Sequence, residues 1–144
     1  MPALDESVNT QLKELCAEGY RYYDTEDFEA ALRAFYQAWL LLPKPQTDWI
    51  EAGWVLTAIG DTYYRSGKFQ QAVHALRSCL HCPDINGNPF VHLRLGQALY
   101  EMQELTHARK ELLKAYHSGG RMMFDNQPAQ YLDSINDLIG EHSA

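Results

Sequence analysis

Long apolar runs are missing from this sequence. The longest, such as Ala38 to Pro43, fall far below the roughly 20 residues that cross a bilayer, so no membrane partner is expected. Cysteine is scarce: Cys16, Cys79 and Cys82 are an odd, small set that argues against a disulfide-stapled secreted scaffold. The opening MPALDESVNTQ lacks a basic segment followed by an apolar core, so it reads as no secretory leader and the expected location is cytoplasmic. Positive charge is also in short supply, with 12 Lys plus Arg against 19 Asp plus Glu and a formal net charge of −7. Such a chain lacks the cations that replace phosphate counterions, which excludes nucleic acid as an unaided partner. It suits a soluble protein, or one whose partner is basic. The rest is ordinary. A length of 144 residues fits one domain, 1–144, and 46% hydrophobic with 22% charged residues excludes wholesale disorder.

The acids are unevenly spread. Residues 1–30 carry eight acids against two bases, a net of −6, while residues 31–82 are net +2 and residues 83–144 net −3. A solvated helix face accounts for most such runs, and an acidic end that steers a basic partner is the sharper reading.

Glycine and proline punctuate the chain at suggestive intervals. Aligned on Gly19, Gly60 and Gly96, three segments share one pattern. Each glycine is followed by a short polar turn, as in Asp24-Thr25-Glu26-Asp27 or Arg65-Ser66-Gly67-Lys68, and then by Phe28, Phe69 or Leu105. Alanine comes three residues later (Ala31, Ala72, Ala108), an apolar residue four after that (Phe35, Leu76, Leu112), and a small one three further on (Ala38, Cys79, Ala115). Small and large apolar residues at helical spacing on both sides of a short turn predict three helical hairpins, at about 12–43, 53–84 and 89–120.

Gly19/Tyr22/Ala31/Phe35/Ala38/Pro43, Gly60/Tyr63/Gly67/Ala72 and Gly96/Ala108/Ala115 resemble the tetratricopeptide repeat signature. The resemblance implies an all-α solenoid in which the glycines let paired helices approach closely. Departures stand at Glu18, where the repeat has leucine, at Leu99, where it prefers tyrosine, and at Gln103, where the turn prefers glycine. The glycine spacings of 41 and 36 residues leave links about seven and two residues longer than the 34-residue repeat. An isolated repeat cannot bury its apolar face alone, so a cap is required. Pro128 opens PAQYLDSINDLI, with Tyr131, Leu132, Ile135, Leu138 and Ile139 on one stripe, predicting a seventh helix at about 128–139. Gly119-Gly120 reads as the helix stop before it.

Little points to chemistry. Cys79-Leu80-His81-Cys82 has the spacing of a redox pair or half a zinc site, but no second such string exists, and Cys79 falls at a small packing position of the repeat. Packing is the preferred reading, ahead of metal and redox. Of six histidines, His92 sits at a core position, and His74, His81, His107, His117 and His142 fall on exposed ones. No metalloprotease, nucleotide-loop or serine-hydrolase string occurs. No catalytic residue, cofactor or metal is assigned, and the chain is read as not an enzyme.

The first helix of each hairpin lines the concave groove of this architecture. Projection places Tyr20, Tyr23 and Asp24 there from the first segment and Trp54, Asp61, Tyr64 and Arg65 from the second. The third contributes Phe90, Leu93, Gln97, Tyr100 and Glu101. Tyr23, Tyr64 and Tyr100 share one repeat position, an aromatic ladder of the kind that dominates binding hot spots. Packing between hairpins is the competing role for any one ring. The lysine and asparagine clamp that grips chaperone C-termini in related repeats has Cys16, Tyr20 and Asp61 in its places, so that subtype is excluded.

A protein partner is therefore expected. NPFVHLRLGQALYEMQELTHARKELLKAYHSGG, with the MMFDNQPAQYLDSI tail, is similar to small bacterial repeat proteins that accompany polymorphic secreted toxins. Those relatives often carry more acids where this chain has residues 121–126. The resemblance implies an immunity protein that covers a basic toxin. The alternatives are a type III-like secretion chaperone holding an extended substrate segment, and a scaffold or homodimer paired through Trp49, Ile50 and Trp54.

Overall fold

The same local device closes every hairpin. In the computed structural model, which describes residues 3–139, α1 (Glu6–Asp24) turns into α2 (Phe28–Leu40), α3 (Ile50–Arg65) into α4 (Phe69–Cys79), and α5 (Pro89–Glu101) into α6 (Leu105–Gly119). At the end of α1 the amide of Asp27 donates to Tyr22 O and that of Glu26 to Tyr23 O. Lys68 and Gly67 repeat this on Tyr63 and Tyr64, and Glu104 and Gln103 on Leu99 and Tyr100. This is the Schellman pattern, which satisfies orphan carbonyls at a helix end and needs one left-handed residue. That residue is Glu26 (φ 62°), Gly67 (φ 80°) or Gln103 (φ 64°).

Only one of the three is glycine, which exposes the cost of the departure at Gln103. An L-residue in this region loses about 1–2 kcal/mol, partly offset by the roughly 0.5–1 kcal/mol of unfolded-state freedom that glycine would add. Gln103→Gly is therefore expected to stabilise by about 0.5–1 kcal/mol. Gly67→Ala should destabilise by about 1 kcal/mol, although a Cβ there meets nothing within 4 Å. Denaturant midpoints of the two variants should move in opposite directions.

The chain divides into two compact units, Met1–Asn86 and Gly87–Ala144. In the first, α1 packs on α2, α2 on α3 and α3 on α4. The aligned small residues Ala31, Ala38, Ala72 and Cys79 are fully buried, together with Phe35 and Leu76. A Cβ on Gly19 would stand 2.5 Å from the Phe35 ring, and one on Gly60 2.5 Å from Leu76, so the glycines permit the close approach that the repeat implies. The long link holds a 3-10 turn at Gln46–Asp48. Trp49 is half-buried there and donates its indole N–H to Pro43 O at 2.8 Å. Ile50 is also half-buried, so of the three residues read as a pairing patch only Trp54 is widely exposed.

In the second unit α5 packs on α6, with a Cβ on Gly96 placed 2.7 Å from Leu112. Asn88 caps α5 by accepting from the amides of Phe90 and Val91, and Pro89 takes the first turn, where no N–H is needed. The terminal stretch is not the single helix expected from its stripe. It forms a 3-10 turn (Arg121–Phe124), α7 (Ala129–Asp133) and α8 (Asn136–Ile139). At the interruption Ser134 Oγ donates to Tyr131 O at 2.7 Å, and Arg109 of α6 donates its Nε to Ser134 O at 2.9 Å and its Nη2 to Asp137 Oδ1 at 2.6 Å. The capping role survives the break. Phe124, Tyr131, Ile135 and Ile139 bury against Leu93, Leu112 and Ala115, each large side chain contributing about 1.5–3 kcal/mol.

Candidate functional site

Two residues on successive turns of α1 and two on successive turns of α3 meet in the first unit. Tyr23 of α1 hydrogen-bonds to the Asp61 carboxylate and to Arg65, both of α3. The Arg65 guanidinium lies 5.0 Å from the Tyr23 ring centroid and 5.4 Å from that of Phe28. Cation–π attraction thus holds an otherwise exposed arginine at the surface. Tyr20 stands 5.1 Å edge-on to Phe35 and 6.1 Å from Tyr23, with 43% of its surface still exposed. Asp61 is buried beneath these rings.

Electrostatics follows from that burial. Desolvation first, and then the Asp61 charge, push the Tyr20 hydroxyl up to about 12. Burial and the Asp61 hydrogen bond raise Tyr23 as well, against an opposing pull from Arg65. Both phenols are therefore neutral at physiological pH, and the bond with Tyr23 raises the Arg65 guanidinium further above its already high ordinary value. The result is a rigid aromatic surface with a fixed buried carboxylate and an exposed guanidinium.

Of the other expected groove residues in this unit, Trp54 is 48% exposed on α3, and Asp24 is exposed at the end of α1. Tyr64 is half-buried, its ring 5.8 Å from Phe69 across its own hairpin. Phe28 was assigned only to the turn, and sequence reading missed its part in holding Arg65. Its signal was the aromatic at the same repeat position as Phe69.

In the second unit the expected residues serve a different arrangement. Phe90 lies beneath the Arg94 guanidinium at 5.0 Å. Gln97 is fully buried and Leu93 belongs to the core. Tyr100 stacks edge-on against Tyr131 at 5.3 Å, and Glu101 accepts from the Tyr131 hydroxyl at 2.7 Å. Gln97 Nε2 donates to Gln127 Oε1 at 2.8 Å, and Arg94 Nη1 donates to the same oxygen at 3.1 Å. Three expected groove positions of α5 are thus engaged by the chain's own C-terminal segment. Gln127 was missed because the segment after the last hairpin has no repeat period to project; Tyr131 was placed only on the capping stripe, and Arg94, inside α5, was missed because only its contact with that segment singles it out.

The cysteines and His92 are accounted for by packing. Cys79 is buried, with its Sγ 3.2 Å from Thr57 Oγ1 and 3.4 Å from Gly53 O, and burial pushes its thiol up. Burial also raises Cys82, to about 11, and Cys16, the reverse of what a thiolate nucleophile requires. His92 is buried against Glu111 at 2.7 Å. His74, His81, His107 and His117 are exposed, and His142 lies outside the described residues. Among the described residues no group of three or more His, Cys, Asp or Glu could hold a metal ion, and no helix is long and apolar enough to cross a membrane.

Three helical hairpins, each with a glycine against a large apolar residue and an identical left-handed turn, have the tetratricopeptide-repeat fold. Solved structures bear this out. The Yersinia enterocolitica type III secretion chaperone SycD, in complex with a peptide of the translocator YopD, is similar with a TM-score of 0.72 at 17% identity, over 94% of this chain and 97% of that one. The first TPR of Spaghetti (RPAP3) bound to the HSP90 peptide SRMEEVD has a TM-score of 0.69 at 13% identity, over 94% and 95%. The first TPR domain of human RPAP3 gives 0.70 at 14% identity, over 91% and 97%. At these identities the likeness is one of fold. No family model and no curated protein matches the sequence.

Proposed function

We propose that the chain is a non-enzymatic protein-binding module, a dedicated binder of one bacterial polypeptide in the cytoplasm. The observation that carries this reading is the α1/α3 surface of the first unit. There Tyr20 is 43% exposed beside the buried Asp61, Arg65 is held over the Tyr23 ring, and Trp54, 48% exposed, lies two turns before Asp61 on α3. Exposed rigid aromatics next to fixed charges are what hot spots are made of, because they lose little entropy on binding. The peptides named with similar structures, from HSP90 and from a translocator, support a polypeptide as the ligand.

Within that class, the surplus of acids in residues 1–30, eight against two bases, supports an immunity protein that neutralises a basic secreted toxin. The likeness to SycD with its translocator peptide favours a second reading, a secretion chaperone holding an extended segment.

Capture from the native cell's lysate with wild type and with Trp54→Ala/Arg65→Ala is the test. A single stoichiometric partner is expected, weakened about tenfold or more in the variant, with helicity and melting unchanged. Undiminished capture by the variant overturns the surface. A captured protein that is folded and toxic when expressed alone supports immunity, with association slowed about tenfold or more between low and high salt. A partner that binds only as an unfolded segment supports chaperoning.

A further inference from the structure

A face of α1 lies open where its counterpart on α3 is buried. The shift of 41 residues that carries Gly19 onto Gly60 also carries Gln11, Glu14, Leu15 and Glu18 onto Ala52, Val55, Leu56 and Ile59. Those four residues of α3 are buried, and α3 packs against α2. Their counterparts on α1 are exposed or half-buried and line an open cavity of about 480 Å³ with Leu41 of α2. The same shift relates Tyr22 to Tyr63. Beside Tyr63, a hollow of about 390 Å³ is lined by Gln71, His74 and Ala75 of α4 and walled by Tyr36 of α2. The two hydroxyls meet at 3.0 Å, with the ring centroids 6.4 Å apart. The counterpart hollow, about 110 Å³, holds Tyr22 with Ala30, Arg33 and Ala34 of α2 and has no such wall among the described residues, so Tyr22 stays 38% exposed. The α3 face thus shows what the α1 face has room for: one helix laid across it, with a side chain against the tyrosine.

Two exchanges in the middle of the face say what that helix carries. Glu14 and Glu18 stand where α3 has Val55 and Ile59, which gives the departure at Glu18 a use: it replaces apolar stacking with charge. Carboxylates four residues apart on one helix repel each other. Glu18 is half-buried, and neither carboxylate has an ion pair among the described residues. Asp5 and Glu6 extend the acidic trough through a further hollow that Glu14 also lines. The cations of this face, Arg21 and Arg33, line its hollows as well, and Arg33 is held 3.7 Å from Glu29. A lysine or arginine set between Glu14 and Glu18 would end their repulsion, while its aliphatic stem covers the floor at Leu15 and Leu41.

We propose that this α1/α2 face docks an amphipathic helix of a basic partner, laid across it as α2 lies on α3, with an apolar or aromatic side chain against Tyr22 and lysine or arginine at Glu14 and Glu18. It is a second interaction surface, made of other residues than the α1/α3 surface, and goes beyond the polypeptide-binding reading above. Charge selects the helix, and the tyrosine fixes its register.

The probe is a synthetic amphipathic helix with leucine on one stripe and lysine beside it, titrated into the full chain at low salt while backbone amide resonances are followed by NMR. Leu15, Glu18, Tyr22 and Ala34 should shift saturably. Glu14→Gln/Glu18→Gln should melt no lower than wild type and bind about fivefold more weakly or worse, a difference that about 0.5 M salt largely removes. Tyr22→Ala should weaken binding at either salt concentration. A scrambled peptide of the same composition, whose leucines share no face, should bind at least about fivefold more weakly than the amphipathic one. Equal binding of the scrambled peptide, unchanged affinity in the glutamine variant, or shifts centred on Tyr20, Trp54 and Arg65 overturns the proposal. Shifts of Leu15 and Tyr22 that grow with protein concentration alone overturn it in favour of a second copy. No native partner enters this titration, so its failure would leave the polypeptide-binding reading standing. Undiminished capture by Trp54→Ala/Arg65→Ala would likewise leave this face standing.

Discussion

Gly19→Ala is expected to destabilise the first unit by about 1–3 kcal/mol in the wild-type background and to stabilise it by about 1 kcal/mol once Phe35 has become alanine. The sign change follows from one contact. A Cβ on Gly19 would lie 2.5, 2.7 and 2.8 Å from three atoms of the Phe35 ring, too close for any of them. A ring cannot yield as the end of a flexible chain does, and this one is further held edge-on by Tyr20 at 5.1 Å. Overpacking therefore outweighs the roughly 0.8–1 kcal/mol by which alanine exceeds glycine in a helix interior. Phe35→Ala alone should cost about 3–5 kcal/mol, since the ring is fully buried and leaves a cavity. With the ring gone only the helix preference remains, and the added methyl fills part of the void. Urea unfolding followed by tryptophan fluorescence reads this unit directly, because Trp39, Trp49 and Trp54 all lie in residues 1–86. Additive effects of the two substitutions would show that the glycine does not set the approach of α1 and α2.

The second large effect concerns the buried pair of the second unit. Glu111→Leu should cost about 1–3 kcal/mol at neutral pH, because it strands the buried His92 N–H. An ionised carboxylate only accepts, so the 2.7 Å bond requires His92 Nδ1 to carry the proton. Burial pushes the Glu111 carboxyl up, but the His92 hydrogen bond and the Lys114 charge together hold it below its ordinary value of 4.5. A carboxyl lowered in the folded state adds stability that is complete above the unfolded value and is lost as pH falls through the folded one. The difference between wild type and Glu111→Gln should therefore shrink as pH drops below about 4.5. A difference that stays constant from pH 7 to pH 3 would mean that the charge of Glu111 contributes nothing.

The hairpins were legible in the chain because their cause is local and periodic. Glycine at 19, 60 and 96 and a large apolar residue sixteen positions later in each segment, Phe35, Leu76 and Leu112, are the residues that touch. A helix that must lie close to its neighbour leaves no other choice at those positions, so the pattern and the contact are one fact. The His92 core position was visible for the same reason, although its partner Glu111 was not.

The groove was legible only as a set of positions on a face. Spacing placed Asp61, Gln97 and Tyr100 there, but the tertiary neighbours of each decide what the residue does. Asp61 is buried among Tyr20 and Tyr23, where the hydrogen bond with Tyr23 offsets part of the cost of taking a carboxylate out of water. Gln97 and Tyr100 are claimed by Gln127 and Tyr131, from a segment that the repeat period does not reach. The terminal helix is interrupted where Arg109 donates to the Ser134 carbonyl, a contact that no stripe of apolar residues could foretell. By itself, then, the sequence determined three helical hairpins and the faces they bury, since periodicity encodes which side of a helix meets its neighbour. Only the tertiary structure decided which exposed positions stay available to a partner, because that depends on long-range polar contacts between residues with no fixed spacing.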